Sequence, residues 1–285
     1  VYRVSRSLLS KIFVKTPNVL SSDETIKLIV ENKLSIGRFG DGELNIMIGE
    51  NIGFQQNSKK LSEKMRNLRS EKGFLVCIPD VFNKKRFNSE LIVENEFNTW
   101  KKYKLLNGYL WRKFFSREKL LGDAFVSRFY LRYKNDFASQ FIPKLKQVWE
   151  NRDIVFVEGE KSRLGYKNDL FSNAKSISRI LCPSKDAFSK YDEIVDYVVI
   201  NINKDSLIIL ALGPTATVMA YDLHKKGFQA LDLGHIDIEY EWFLLKTKEK
   251  VAISHKYVNE TEDGKNPTDV DDIEYKNQII KNFCK

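Results

Sequence analysis

The chain has 285 residues, of which 42% are hydrophobic, and a formal net charge of +9. This length and apolar content suffice for a folded domain with a sizeable core, which argues against an intrinsically disordered chain. The positive charge favours anionic partners such as nucleotides, acidic glycans or nucleic acid. Three widely spaced cysteines without a C-x-x-C pair argue against a disulfide framework or a zinc cluster, and they indicate a cytoplasmic location.

No segment has the pattern of a membrane span or a secretory signal. The longest apolar run, residues 207–212, is far shorter than a bilayer requires. Residues 1–15 mix basic and apolar side chains at the spacing of a short amphipathic helix. Such a helix either makes a weak peripheral contact with an anionic membrane or packs on its own domain, and its short apolar face favours packing.

Strand and helix patterns alternate along most of the chain. After an opening strand from residue 35, the predicted strands cover residues 74–78, 153–157, 176–181, 206–212 and 230–233. The predicted helices include a capped one before residue 30, then residues 44–48, 58–68, 187–195 and 214–226. This alternation predicts one α/β domain over residues 1–285, with a Rossmann-like, mostly parallel sheet flanked by helices.

Two segments depart from that alternation. Residues 89–137 are rich in aromatic side chains and predict a mostly helical insertion. We assign these aromatic residues to the core in preference to ligand stacking. Residues 246–285 are polar and predict a loop-rich surface extension that ends in a short helix near Ile279.

A glycine-rich acidic turn follows the first predicted strand and carries Asp41 and Glu43. If the backbone stays extended, both carboxylates point to the same side, because strand side chains repeat with a period of two. Mg²⁺ and Mn²⁺ prefer oxygen ligands and often bind one or two carboxylates together with substrate phosphates. The turn therefore predicts a metal site, with an ordinary polar turn as the alternative.

Three further places carry polar residues that could hold an anion. Arg128 stands in an otherwise apolar part of the insertion and suits either a bidentate phosphate contact or a structural ion pair. Gly213 and Pro214 lead from a strand into a helix near Thr215, and a helix N-terminus of this kind binds phosphate or carboxylate. Ser184 lies in another turn that follows a predicted strand. None of these turns matches a G-x-G-x-x-G or Walker pattern.

A second polar cluster, His235, Asp237, Glu239 and Glu241, follows the strand at residues 230–233. One imidazole and three carboxylates at a strand end can supply a metal ligand and a general base. The alternative is a helix that begins with acidic residues, which its macrodipole favours.

Three segments together resemble the GT-D-type glycosyltransferases, a family once described as a domain of unknown function. The segments are residues 38–43, Ser127 with Arg128, and residues 234–242, and the resemblance spans roughly residues 20–260. Residues 256–260 also look similar, although we assign them no chemistry. The family occurs in bacterial pathways that glycosylate serine-rich-repeat adhesins and build surface glycans. Its D-x-E motif, which serves a metal and a nucleotide diphosphate, falls here on Asp41 and Glu43, and His235 becomes a candidate contact to the metal or diphosphate.

The resemblance implies a cytoplasmic, metal-dependent glycosyltransferase that moves a hexose from a UDP-sugar to a glycan or glycopeptide. UDP-glucose is the expected donor, and Mn²⁺ or Mg²⁺ would assist the departing diphosphate. Arg38, Arg128 and the helix N-terminus at Thr215 would share the remaining phosphate charge.

Inverting attack by an acceptor hydroxyl needs a base, for which position alone favours Glu239 and then Asp237. Ser184 and Asp186 are expected to contact the ribose or base of the donor, by analogy with doubly wound sheets. Asp41, Glu43 and His235 should line one cleft.

A hydrolase that uses the same two acids is an alternative to a transferase, and two further functions fit parts of the sequence. One is a non-catalytic nucleotide- or phosphate-binding regulatory module in which the carboxylates are structural. The other is nucleic-acid binding, but the basic residues are scattered among acidic ones and form no basic stripe, which argues against it.

Overall fold

The structure is a computed structural model that describes residues 14–83 and 85–284, together with residues 5, 7, 9 and 10. Most of the amphipathic segment predicted at residues 1–15 therefore lies outside the described residues. The centre of the fold is an eight-stranded sheet in which every pair of neighbouring strands is parallel. This architecture confirms the predicted Rossmann-like sheet flanked by helices.

The sheet has the spatial order β3-β2-β1-β7-β6-β4-β5-β8. Its strands are β1 (Ser35–Arg38), β2 (Phe74–Ile78), β3 (Gly122–Asp123), β4 (Asp153–Gly159), β5 (Ser176–Cys182), β6 (Leu207–Ala211), β7 (Gln229–Asp232) and β8 (Ile279–Asn282).

Helices cover both faces of the sheet. The α-helices of the described chain are α1 (Ser22–Asn32), α2 (Asp41–Met47), α3 (Lys59–Asn67), α4 (Glu94–Phe115), α5 (Phe137–Lys146), α6 (Tyr191–Asn201), α7 (Pro214–Lys225), α8 (Ile236–Leu245) and α9 (Ile273–Asn277). Short 3-10 turns lie at Asp80–Phe82, Ala124–Ser127, Ala187–Lys190 and Asp263–Lys265. Within the part of the chain that the structure describes, none of the helices is long and apolar enough to cross a membrane.

Among the described residues, two large apolar clusters cover the two faces of the sheet, and a third, smaller cluster packs α8 against residues 253–258. Successive residues of β2 enter opposite clusters, with Val76 in one and Leu75 and Cys77 in the other. A strand that is buried on both faces reads as a continuous apolar run, which explains why β2 and β6 were predictable.

The chain changes direction across the sheet between β4 and β6. These strands are neighbours, yet β4 leads to β5 on one side and β6 leads to β7 on the other. Open α/β sheets bind ligands in the crevice outside the carboxyl ends of their strands at such a point.

The segment at residues 89–137 differs from its predicted, mostly helical form. Only α4 is an α-helix, and the chain beyond it contributes β3, which pairs with β2 at the edge of the sheet. A Cβ atom on Gly122 would lie 2.5 Å from Cys77 Sγ, so this close strand pairing needs glycine. A strand of two residues carries no apolar run that a sequence pattern can reveal.

The C-terminal segment is also more ordered than predicted. Ile279 begins strand β8, which pairs with β5, and the short helix α9 precedes this strand. The predicted short helix near Ile279 is present as α9, but the segment ends in strand β8 and not in that helix. The strand is largely exposed at the sheet edge, so its sequence lacks the apolar run of a buried strand.

Candidate active site

A cavity of about 640 Å³ opens at the carboxyl ends of the strands. It is bounded by the ends of β1, β4, β6 and β7, by α4, and by the segment around residues 250–260. The predicted site residues that line it are Arg38, Asp41, Glu43, Arg128, Ser184, Gly213, His235, Asp237 and Glu239.

Asp41 and Glu43 lie in the first turn of α2, so the expectation of an extended backbone is wrong. Gly40 is the N-cap of this helix, and its N–H donates to Glu43 Oε2 at 2.7 Å. Acidic side chains are favoured there by the helix macrodipole and by the free N–H groups. Residues two apart in a helix are rotated by about 200°, so the two carboxylates share the cavity without pointing in the same direction.

These two carboxylates lack a cationic partner. Of the residues that the structure describes, seven carboxylates and four arginine or lysine side chains line the cavity. Five of the seven carboxylates pair with an arginine or lysine, namely Glu96, Asp232, Asp237, Glu239 and Glu260. Among the described residues, Asp41 and Glu43 have no such partner within 4 Å. Burial, the charge of Asp232 and that of Asp41 raise the pKa of Glu43 to about 7.

Two uncompensated carboxylates fit a divalent cation that also binds substrate phosphates and water. The predicted set of Asp41, Glu43 and His235 does not form, since no three His, Cys, Asp or Glu side chains of the described chain are arranged to hold a metal. His235 Nε2 instead lies 2.7 Å from Glu260 Oε2. The three residues nevertheless line one cavity, as expected from a parallel sheet.

Glu260 joins His235 to Arg128. Arg128 Nη1 lies 2.7 Å from Glu260 Oε1, so the Arg128 side chain forms an ion pair. Burial and the charge of Arg128 lower the pKa of His235 to about 4, which keeps the imidazole neutral at pH 7. Sequence reasoning noticed residues 256–260 but assigned Glu260 no chemistry, because its partners are more than 20 residues away.

Glu239 has one oxygen engaged in hydrogen bonds, and the other faces Arg128. Its Oε2 accepts hydrogen bonds from the backbone N–H groups of Tyr130 at 2.9 Å and Leu131 at 3.2 Å, and Oε1 lies 3.7 Å from Arg128 Nη1. The side chain is 3% exposed. Oε2 therefore anchors α8 to the insertion, while Oε1 lies beyond hydrogen-bond distance of Arg128, and the role of Glu239 as a general base stays a prediction.

Asp237 is fixed in the same way. Its Oδ1 accepts from Gly165 N–H at 2.9 Å and from Asn168 Nδ2 at 2.8 Å, and its Oδ2 lies 2.6 Å from Lys256 Nζ. Lys256 is fully buried and also contacts Glu241. Both acidic residues stand in the first turn of α8, which is the arrangement that the alternative interpretation predicts.

Arg38 donates most of its hydrogen bonds to other groups of the protein. Nε donates to the Asp232 carbonyl at 2.6 Å, and Nη2 donates to Asp232 Oδ1 at 3.0 Å. Nη1 donates to Ala124 O at 3.2 Å and to Ser127 Oγ at 2.6 Å. Four of the five guanidinium donors are therefore used, so Arg38 positions the ends of β1 and β7 more than it offers donors to a phosphate.

Ser184 and Gly213 lie at the β4–β6 side of the cavity. Ser184 Oγ is buried and has no hydrogen-bond partner among the described residues. Gly213 has a φ of 54° and is the N-cap of α7, and a Cβ atom there would lie 2.5 Å from the Phe54 ring. Glycine thus leaves backbone accessible at the start of the helix.

Thr215 and Asp186 are not among the cavity-lining residues. Both contact Gln55, which accepts from Thr215 Oγ1 at 3.0 Å and donates through Nε2 to Asp186 Oδ1. Gln55 itself lines the cavity. Thr215 and Asp186 thus reach the cavity lining only through Gln55, a residue that no sequence motif marked, and their contacts with a ligand stay a prediction.

The insertion contributes more than core residues. Trp111 and Phe115 are buried, as predicted, but Trp100 and Tyr103 line the cavity. Sequence reasoning did not separate these two groups, because a helix rich in aromatic residues on several faces does not reveal which face meets a cleft.

The parallel sheet and its polar cavity define an α/β domain of the kind that binds ligands at the carboxyl edge of the sheet. The family described as "Glycosyltransferase GT-D fold" matches residues 36–261 of the chain, and the chain belongs to this family. The predicted resemblance is thereby confirmed.

Named relatives agree with this family assignment. The chain is 39% identical to "Glycosyltransferase GlyD" of Streptococcus pneumoniae serotype 4, with 96% of the chain and 34% of that protein covered. It is 37% identical to "Probable glycosyl transferase Gly" of Streptococcus gordonii, with 94% and 39% covered. The chain thus spans little more than a third of these curated relatives.

Two solved structures superpose closely. A new glycosyltransferase (DUF1792) from Streptococcus sanguinis has a TM-score of 0.86 at 36% identity, covering 93% of this chain and 99% of that one. A structure described as the conserved domain of unknown function 1792, with a distinct glycosyltransferase fold, has the same TM-score and identity and covers 98% of both chains.

Proposed function

We propose that the chain is a cytoplasmic, metal-dependent glycosyltransferase domain. It moves a hexose from a UDP-sugar to a glycan or glycopeptide, and the expected hexose is glucose. The reaction belongs to bacterial glycoprotein or surface-glycan synthesis. Membership of the family and the names of the relatives support glycosyl transfer. The observation that best supports a bound metal and a diphosphate donor is the pair of carboxylates without a cationic partner, Asp41 and Glu43, in the cavity.

Charge balance explains why a diphosphate donor would need a cation here. The cavity lining carries more carboxylates than arginine and lysine side chains, and the excess lies at the start of α2. A nucleotide diphosphate would meet unneutralised negative charge there. Mn²⁺ or Mg²⁺ held by Asp41 and Glu43 would remove this repulsion and supply Lewis-acid assistance to the departing diphosphate.

The nucleoside fits the other side of the cavity, where β4 and β6 diverge. The described lining there is uncharged and includes Gly159, Ser162, Pro183, Ser184 and Gly213. A uracil ring and ribose are neutral and need few hydrogen bonds, for which Ser184 Oγ and the backbone beside Gly213 are available. The crevice at such a change of strand order is the usual nucleotide position in α/β sheets.

Arg128 is the cavity cation best placed to change partner. It is 29% exposed and is held by Glu260 and Glu239. A diphosphate near the start of α2 would compete with Glu260 for the guanidinium, and this exchange would stabilise negative charge on the leaving group.

The test measures UDP release from a panel of UDP-sugars, with Mn²⁺ and with EDTA. We expect release that requires the metal and falls about 100-fold in Asp41→Asn, a typical cost for losing one electrostatic catalytic group. Glu50→Gln is the control, because Glu50 is exposed close to α2 but is not a lining residue. Metal-independent release that is unchanged in Asp41→Asn would contradict the proposal, and binding of UDP without turnover would favour the regulatory module.

A further inference from the structure

We infer that the α4 wall of the cavity, defined as Glu96, Trp100, Tyr103 and Arg132, is the acceptor site and that it binds a carbohydrate ring against Trp100. This inference rests on the proposed function, because it names where that reaction would take its second substrate.

Three of the four wall residues lie on one stripe of α4, and Arg132 joins them from the chain beyond the helix. Glu96, Thr99, Trp100 and Tyr103 follow the spacing i, i+3, i+4, i+7, and all four line the cavity. Residues at this spacing lie on one face of a helix. The insertion therefore presents a continuous mixed surface of one carboxylate, two hydroxyls and two aromatic rings.

Trp100 is held in place while remaining partly exposed to the cavity. Its ring packs edge-to-face with Tyr103 at 5.1 Å and with Phe125 at 4.9 Å between ring centroids. A sugar ring has an apolar C–H face and a polar hydroxyl edge, so a fixed aromatic ring beside polar groups matches both. An indole fixed before binding also loses little entropy when the ligand arrives.

Arg132 provides a second observation that points to a ligand. Its side chain is only 2% exposed and lines the cavity, yet Nε and Nη1 have no hydrogen-bond partner among the described residues. Nη2 pairs with Asp80, and the guanidinium lies 3.7 Å from the Phe125 ring centroid, so the group is fixed. Buried donors of this kind normally have partners.

The polar groups of the wall suit hydroxyls. Arg132 Nη1 lies 3.7 Å from Glu96 Oε2, too far for a direct hydrogen bond. A hydroxyl between the two groups would accept from the guanidinium and donate to the carboxylate, and both hydrogen bonds would be charge-assisted. A phosphate would meet the Glu96 carboxylate there, which makes the wall a poor site for the donor diphosphate.

The wall also lies on the correct side for an acceptor. The wall lies towards β2, because Arg132 pairs with Asp80, which follows that strand. Asp41 follows β1, and the uncharged crevice lies towards β4 and β6 on the other side of β1. A donor in that crevice and a carbohydrate on the wall would approach the start of α2 from opposite sides. This is the arrangement that transfer between two substrates requires.

The test compares Trp100→Leu and Glu96→Gln with matched changes on the same helix. Phe97→Leu and Glu94→Gln are the controls, since neither residue lines the cavity. The probes are the methyl β-glycosides of glucose, galactose and N-acetylglucosamine, each titrated at saturating UDP-sugar.

We expect at least one glycoside to stimulate UDP release. Trp100→Leu should raise the KM for that glycoside about tenfold, the effect of losing an aromatic contact. The KM for the UDP-sugar should stay within twofold of the wild-type value, and both KM values of the control variants should match those of the wild type.

Three results would overturn the inference. They are an unchanged glycoside KM in both wall variants, a rise in the UDP-sugar KM as large as that for the glycoside, or no stimulation by any glycoside while donor hydrolysis proceeds. If no UDP-sugar is turned over at all, the proposed function fails separately. Saturation-transfer NMR with the same glycosides then tests the acceptor site by itself. The inference requires a saturation-transfer signal with the wild type that is lost in Trp100→Leu. The absence of a signal with the wild type rejects the inference.

Discussion

The carboxylates of the cavity differ in what holds them. Glu239 is buried against two backbone N–H groups and Arg128, and Asp237 is buried against Lys256 and an amide. Asp41 is exposed and has no cationic partner among the described residues. Residue type alone does not separate these roles, because the partners lie as far away in the chain as Arg128 is from Glu239.

The anchor role of Glu239 predicts a loss of stability. Glu239→Gln keeps the shape but removes the charge that faces Arg128 and the two N–H donors. We expect the free energy of unfolding to fall by about 1–3 kcal/mol, the usual range for hydrogen bonds to a charged group. Urea denaturation measures this change. Glu193→Gln, an exposed carboxylate on α6, should change it by less than about 0.5 kcal/mol, and an unchanged Glu239→Gln protein would refute the anchor role.

At the scale of elements, buried strands were predictable and peripheral ones were not. The apolar runs of β2, β4 and β6 reflect burial on both faces of the sheet. The two-residue β3 and the exposed β8 have no such pattern, and their pairing depends on tertiary contacts. The start of α2 was misjudged for a related reason, since Gly40 and Gly42 suggest a turn while Glu43 caps a helix.

The contact between α1 and β3 predicts a pH dependence of stability. Asp123 is fully buried, accepts from Ser22 Oγ, and has a pKa raised to about 7 by burial and by the charge of Asp80. The unfolded carboxyl has its ordinary pKa near 4. Between these two values the folded state binds more protons, so stability is highest at the acidic end and falls as pH rises towards 7.

Asp123→Asn should remove that decline. We expect the free energy of unfolding of the wild type to fall by roughly 2 kcal/mol more than that of the variant between pH 5 and pH 7, from urea denaturation at each pH. Asp196→Asn, an exposed change on α6, should keep the wild-type slope. Parallel curves for the wild type and Asp123→Asn would show that Asp123 does not titrate in this range.

At the scale of the whole molecule, the parallel sheet gathers residues that are far apart in the chain. Arg38 and Asp232 are separated by 194 residues, yet they meet where β1 and β7 end. The sequence motifs indicated which segments reach this edge, because parallel strands bring their carboxyl ends together. The ion pairs within the cavity, such as those of Glu260, follow from side-chain packing that no motif spacing records.

The cavity at the carboxyl ends of the strands therefore has three regions. The uncharged crevice lies beside β4 and β6, the uncompensated carboxylates lie at the start of α2, and the α4 wall closes the opposite side. The curated relatives are almost three times as long as the aligned part, so other parts of such proteins can supply further activities or contacts.

Manganese binding tests the central claim most directly. Mn²⁺ is titrated into the protein with saturating UDP, and free Mn²⁺ is followed by electron paramagnetic resonance. We expect one Mn²⁺ per wild-type chain, and a Kd raised at least about tenfold in Asp41→Asn and Glu43→Gln, because each change removes a charged oxygen ligand. The Glu50→Gln control should bind like the wild type. Unchanged Mn²⁺ affinity in both Asp41→Asn and Glu43→Gln would contradict the account.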